Sequence, residues 1–356
     1  MKKYTICTVL FLLAAISPLA GATTVVTTKQ HYSNATNLLV ENLIIHDTGE
    51  TGMLIENVSN SIFRNIEIYN VDGNGINIRS NSHDVLFQNV IIHDVNDTTG
   101  GKGDGFSMQH PATGASTDDS TSATPSICYN ITYDNCVAYN CAHDGFDLDG
   151  KQITLKSCVS HDNGWLDQPT HGLKFWNKDV KVLNCLVYNI PSPGVGVEIA
   201  GGKNVWIWNS AIFNCPSAAI RNGNGTVHVR NTIFDTNGAA YQSSYSLPTT
   251  SDYNLYYNTP MPAGEAGSIS GDPQFISKTT GNFTIAGSSP AVNKGTARAV
   301  AAGVTDEFLN VPATDFNSNL RVGNPDMGAY EYGGILPANI SGTVTKSGTA
   351  TALSGV

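Results

Sequence analysis

Charge is scarce in this chain. Only 13% of its residues are charged, against about 25% in ordinary domains, and 19 basic residues face 29 acidic ones. A net charge of −10 argues against binding nucleic acid by neutralising phosphates. It would also repel a polyanionic partner unless a cation or a local basic patch intervened. After the N-terminal segment, no stretch approaches the roughly 20 apolar residues that a membrane span needs. No Cys-x-x-Cys pair occurs, so the common redox and zinc spacings are missing. Asn, Thr, Ser and Gly take the place of the missing charges, a composition suited to an all-β protein with many turns.

The chain begins with a basic MKK, a mostly apolar run from Thr8 to Ala15, and the small-residue motif Ala20-Gly21-Ala22. This order predicts a secretory signal peptide over 1–22 and hence an exported protein. Its removal takes away Lys2 and Lys3, leaving 17 basic against 29 acidic residues. Export permits disulfides, with Cys128 and Cys141 the candidate pair. Cys136, Cys158 and Cys185 instead share one repeat position, where Leu43, Ile66 and Val90 stand elsewhere, and read as buried thiols replacing aliphatics.

Two phrases recur along the chain. One places Asn before a short apolar strand, as in "VENLIIHD", "FRNIEIYN", "FQNVIIHD", "YDNCVAYN", "LKSCVSHD" and "VLNCLVYN". Its spacing is 22 to 27 residues, apart from one gap of 46 that reads as a single coil carrying an insertion. The other phrase is Gly-apolar-x-apolar: "GMLI", "GINI", "GFSM", "GFDL", "GLKF" and "GVEI". Two such strands per unit predict a solenoid, a right-handed parallel β-helix of about 8–10 coils with a C-terminal cap. The first coil legible in the sequence begins near Val40. The expected organisation is a signal peptide over 1–22, the β-helix over 23–275, and last coils with the cap over 276–333. Residues 334–356 read as a linker and the start of a small β-domain. A monomer is expected.

Coils stack about 4.8 Å apart, so residues at one repeat position form a row. In Gly-apolar-x-apolar the apolar residues point inward and x points out. Down the coils x reads Leu54, Asn77, Ser107, Asp147, Lys174, Glu198, Arg221. The residue before each glycine reads Thr51, Asn74, Asp104, Asp144, His171, Val195. Asp104, Asp144 and Asp147 therefore converge on one outward patch beside His171 and Lys174. An Asp-Gly pair alone is ordinary turn chemistry. Carboxylates converging from neighbouring coils call for a counter-charge, and oxygen ligands without sulfur favour a hard cation such as Ca²⁺. Lys174 beside such an ion could act as a neutral amine base, and Trp176 could stack on a sugar.

The stretches "GDGFSMQ", "CVAYNCAHDGFDLDG", "SCVSHDNG" and "HGLKFWN" resemble polysaccharide lyase family 9, the Ca²⁺-dependent pectate lyases and their relatives. The resemblance runs from about Val40 to Asn214. It implies a calcium pocket at Asp104, His143, Asp144 and Asp147, with His143 standing where the family has an aspartate. It implies Lys174 as the catalytic base and β-elimination on a pectin-like uronate polymer, polygalacturonate or rhamnogalacturonan. His171, Trp176, Arg221, Lys178 and Lys151 are the candidate substrate-binding residues. The Asn-Thr-Asp and Gly-His-Gly signatures of the pectin hydrolases are absent. A uronate C5-epimerase begins with the same proton abstraction and would need a second group, with His171 the candidate. A non-catalytic β-helix that binds glycans or other cells is the remaining alternative.

Overall fold

In the computed structural model, residues 23–97, 103–109, 127–165, 169–201, 203–297 and 311–337 are described. The expected signal peptide, the insertion between Pro111 and Ser126, and residues 338–356 lie outside them. The chain winds into a parallel β-solenoid of about nine turns. Each turn contributes short strands to three parallel stacks.

The first stack is built from the glycine phrase. Residues 53–56 pair with Ile76–Arg79, then Phe106–Gln109, Phe146–Leu148, Leu173–Phe175, Val197–Ile199 and Ile220–Asn222. The second stack includes Cys128–Asp134, Gly150–Lys156, Lys178–Leu183 and Lys203–Trp208. The third includes Val137–Cys141, Val159–His161, Leu186–Tyr188, Ala211–Phe213 and Ile233–Asp235. Asn135 donates to Asn89 across the 46-residue gap, so these two positions are neighbours in successive coils.

The asparagines sit at corners. Asn42, Asn65, Asn89, Asn135, Asn184, Asn209 and Asn231 all have φ between 47° and 57°. Among residues with a Cβ, Asn tolerates this left-handed conformation best, because its short amide can bond locally. That amide also joins the coils: Asn65 Nδ2 donates to Asn42 Oδ1 at 3.2 Å, Asn89 to Asn65 at 3.1 Å, and Asn135 to Asn89 at 2.9 Å. Inside, identical positions stack into a dry core. Phe63 lies on Phe87 (5.4 Å between ring centres), Phe87 on Tyr133 (5.1 Å) and Phe106 on Phe146 (4.5 Å). All six cysteines among the described residues are buried and free, so Cys128 and Cys141 are not bridged.

A second row runs along the third stack. His46, Tyr69, His93, Tyr139, His161 and Tyr188 stack face to face, 4.6 to 5.2 Å apart, alternating imidazole and phenol. Each His Nδ1 meets the aspartate that follows it, Asp47, Asp94 or Asp162, at 2.6 to 2.8 Å.

The solenoid extends further in the N-terminal direction than the sequence phrases indicate. Strands Thr24–Val26 and Gln30–Thr36 pair with the next coil although they contain neither phrase. The C-terminal segment also differs from expectation. Its described residues lie along the flank of the third stack. Outward residues Val137, Val159, Leu186, Ala211, Ile233 and Leu255 are apolar, and Phe283, Ile285, Ala291, Met327 and Ala329 cover them. The contact is fixed by the corner asparagines: Asn184 donates to Thr314 O (2.8 Å), Asn209 to Asp326 O (3.1 Å) and Asn231 to Thr296 O (3.0 Å). These coils need a cover because an apolar strip of that length is costly to leave in water.

Candidate functional site

The outward row of the first stack has the register Asn77, Ser107, Asp147, Lys174, Glu198, Arg221, one residue per coil. Beside it runs a second set of contacts that the sequence reading did not anticipate. The residue before four of the six glycines accepts a hydrogen bond from the backbone N–H of its counterpart one coil on. Asn74 Oδ1 accepts from Asp104 (3.2 Å), Asp104 Oδ1 from Asp144 (3.2 Å), Asp144 Oδ1 from His171 (2.5 Å), and His171 Nδ1 from Val195 (3.1 Å). One oxygen of Asp104 and one of Asp144 are therefore fixed by the scaffold, which leaves a second oxygen on each. The glycines that follow are close to the neighbouring coil: a Cβ at Gly145 would lie 2.1 Å from Ser160 Oγ and 2.8 Å from Gly172 O.

Asp104, Asp144 and Asp147 bring carboxylate oxygens within 4.8 Å of one another. Burial, reinforced by Asp144 and Asp147, raises the Asp104 carboxyl well above the usual range. Asp144 is raised to about 7, chiefly by burial, with Lys174 opposing and Asp147 adding to the effect. Lys174 Nζ lies 3.1 Å from Asp144 Oδ2 and 3.0 Å from Asp147 Oδ2. Burial works against its charge, but the two carboxylates outweigh burial and hold the ammonium above the ordinary lysine range. Trp176 is half exposed, donates from Nε1 to Asp147 Oδ1 at 2.7 Å, and has its ring 4.9 Å from Lys174 Nζ.

His171 is buried, and its Nδ1 is engaged as an acceptor. Nδ1 takes the Val195 N–H, and Nε2 lies 2.9 Å from an Arg221 guanidinium nitrogen. Burial, Arg221 and Lys174 together lower its pKa to about 3, so the ring is neutral. Arg221 also pairs with Glu198, a buried acid the sequence reading left without a role, and faces the Tyr245 ring at 5.5 Å.

Three candidates fall elsewhere. His143 Nε2 is directed at Asp97 Oδ2 (3.1 Å), 46 residues earlier, and lies outside the carboxylate group. Lys151 and Lys178 belong to the second stack, beyond the corners at Asp149 and Asn177, and Lys151 rests over the Tyr129 ring at 5.6 Å. Strand alternation carried through those corners would have kept them with the acids; the turn takes them to another face.

On the N-terminal side of the acids, the same face holds a cavity of about 310 Å³ lined by Lys29, Glu50, Thr51, Asn77 and Arg79, among others. Lys29 pairs with Glu50 and Arg79 with Glu56, each at 2.7 Å. Asn77 donates to Gln109 at 3.0 Å, while its Oδ1 is buried without a partner.

The donor set suits a hard divalent cation. It consists of three carboxylates from adjacent coils, without sulfur, two of them prealigned by backbone N–H groups.

The model of the family described as "Right handed beta helix region" matches residues 30–187. Among solved structures, the chain is similar to pectate lyase Pel9A, at 15% identity and a TM-score of 0.53 over 83% of this chain and 73% of that one. It also aligns with the A-module of the Azotobacter vinelandii mannuronan C-5 epimerase AlgE6, at 15% identity and a TM-score of 0.44 over 67% of this chain. That alignment spans 59% of the epimerase module. No curated protein matches the sequence. Family model, structural likeness and strand register agree on one statement: the fold is a right-handed parallel β-helix.

Proposed function

We propose that this chain is an exported, Ca²⁺-dependent polysaccharide lyase that cleaves a pectin-like uronate polymer by β-elimination, with Lys174 as the base. One observation carries the reading: three carboxylates and a lysine amine meet on a single solvent-facing row, the lysine 3.0 to 3.1 Å from two of the acids. Asp104, Asp144 and Asp147 would hold the cation. Bound there, Ca²⁺ would neutralise the C6 carboxylate of a uronate residue and make its C5 hydrogen more acidic.

The chain's own groups supply the rest. Lys174, as a neutral amine, takes the C5 proton. The electron pair of that C–H bond forms the C4–C5 double bond, and the C4–O bond breaks with its electrons leaving on oxygen. Trp176 stands beside the amine with an exposed ring on which a sugar can stack. Arg221, fixed by Glu198, offers positive charge on the C-terminal side of the base. The cavity at Asn77 and Arg79 accommodates the polymer on the N-terminal side. A lyase needs no second proton donor on the opposite face of the sugar. His171, buried, neutral and with Nδ1 taken by the Val195 N–H, fits that requirement better than the return step of an epimerase.

The test is ultraviolet absorbance of unsaturated product on polygalacturonate and on rhamnogalacturonan at alkaline pH, with Ca²⁺ and then with a chelator. A rise that the chelator abolishes is expected. The absence of a rise on either polymer, with sugar binding retained, would replace this reading with that of a glycan-binding β-helix.

A further inference from the structure

We infer that Lys174 is the site's internal counter-cation, and that its ammonium and a bound divalent ion hold the Asp144–Asp147 pair in mutually exclusive states. The inference rests on the calcium reading of the site and adds a control to it: the base stays sequestered until the ion arrives.

Among the described residues, Lys174 is the one positive side chain in an ion pair with the acid cluster. Arg221, the next cation along the row, is committed to Glu198. Trp176 adds a neutral N–H to Asp147, and His171 adds a backbone N–H to Asp144. The ammonium thus neutralises part of a charge that the fold would otherwise bury against itself.

A calcium ion on those carboxylates would sit about 2.3–2.6 Å from their oxygens. An ammonium kept 3.0 Å from Asp147 Oδ2 and 3.1 Å from Asp144 Oδ2 would then lie within a few ångströms of the ion. Two positive charges at that separation in a partly buried site repel strongly. The lysine must therefore leave the pair as the ion fills the carboxylates. The same event that fills the carboxylates releases Lys174 from both of its ion pairs.

Ca²⁺ titration calorimetry on the full chain at neutral pH, for wild type, Lys174→Met, Lys174→Gln and Lys174→Arg, tests this, with circular dichroism as the check on folding. Removing the internal charge in the Met and Gln variants should tighten Ca²⁺ binding at least about tenfold, whereas Lys174→Arg should bind no tighter than wild type. Trp176 emission should shift on titration in wild type as the amine departs from its ring. Equal affinity in wild type and both uncharged variants would overturn the inference while leaving the calcium site standing. No Ca²⁺ binding in any variant would remove the calcium reading itself, and the inference with it.

Discussion

The two outward rows of this solenoid use the same geometry to opposite ends. Along the third stack, His46, Tyr69, His93, Tyr139, His161 and Tyr188 alternate regularly, and each imidazole has its own aspartate. Along the first stack, Asn77, Ser107, Asp147, Lys174, Glu198 and Arg221 follow no rule, and acids from adjacent coils converge. Stacking every 4.8 Å or so rewards repetition. A regular row is therefore architecture, whereas an irregular and electrostatically costly one is where the function proposed above is placed. The acid row lowers the stability of the fold and keeps its geometry because the coils on either side impose it.

Substitutions that exchange these characters should break the comparison. The largest effect is expected at the base: Lys174→Ala should lower product formation by about 10³-fold in the ultraviolet assay while polymer binding survives, within the usual range for loss of a general base. Next come opposite signs of stability. Asp104 has a folded pKa raised by burial and by its acidic neighbours, so its ionisation opposes folding at every pH above its unfolded value. Asp104→Asn should therefore raise the chelator-treated midpoint of thermal unfolding, by about 2 °C or more, while abolishing Ca²⁺ binding.

His93 should behave in the reverse way. Burial works against its charge, but Asp94 and Glu67 outweigh burial and raise it to about 9. Its contribution is complete below the unfolded value near 6.5 and is lost as pH rises through about 9. His93→Phe keeps a ring in the stack but removes the charge. It should cost up to about 3 kcal/mol at pH 6 and little at pH 10, read from urea unfolding at both values. An unchanged pH profile would show that the stack is held by its faces alone. The smallest effect is expected at the N-terminal cavity: Asn77→Leu or Arg79→Gln should raise KM on long polymer by roughly threefold to tenfold, with kcat nearly unchanged.

Much of the site was legible because a solenoid turns sequence spacing into distance. Two phrases in register placed Asp104, Asp144, Asp147 and Lys174 together, and the observed pairing of Asp147 with Lys174 follows that register. The misses have equally physical origins. Lys151 and Lys178 follow corners, and a corner carries the next strand to another face. His143 finds Asp97 at the same 46-residue offset that pairs His93 with Tyr139 and Val95 with Cys141, a register the sequence reading used for the asparagines and did not carry to this pair. The flank contact of the C-terminal segment had a signal that went unread: "CVAY", "CLVY" and "SAIF" do not alternate, as strands covered on both faces do not. The stacked row had one as well, in the strict exchange of His-Asp with Tyr-Asn from coil to coil. The rungs under the carboxylates had none, since an acceptor of a backbone N–H looks like any other Asn or Asp.

Those rungs have a consequence for how such a site can change. Asn74, Asp104, Asp144 and His171 differ in charge and shape, yet each presents a lone pair to the N–H one coil on. Over these four coils the scaffold takes an acceptor there and is indifferent to which residue supplies it, while Val195 in the next coil does without one. Each position is in effect a socket of fixed geometry and open chemistry, so a single Asn-to-Asp exchange can add or remove a ligand without displacing the backbone. A solenoid built in this way can shift its charged patch from coil to coil, trading one ion or one sugar for another, while its fold is left as it was.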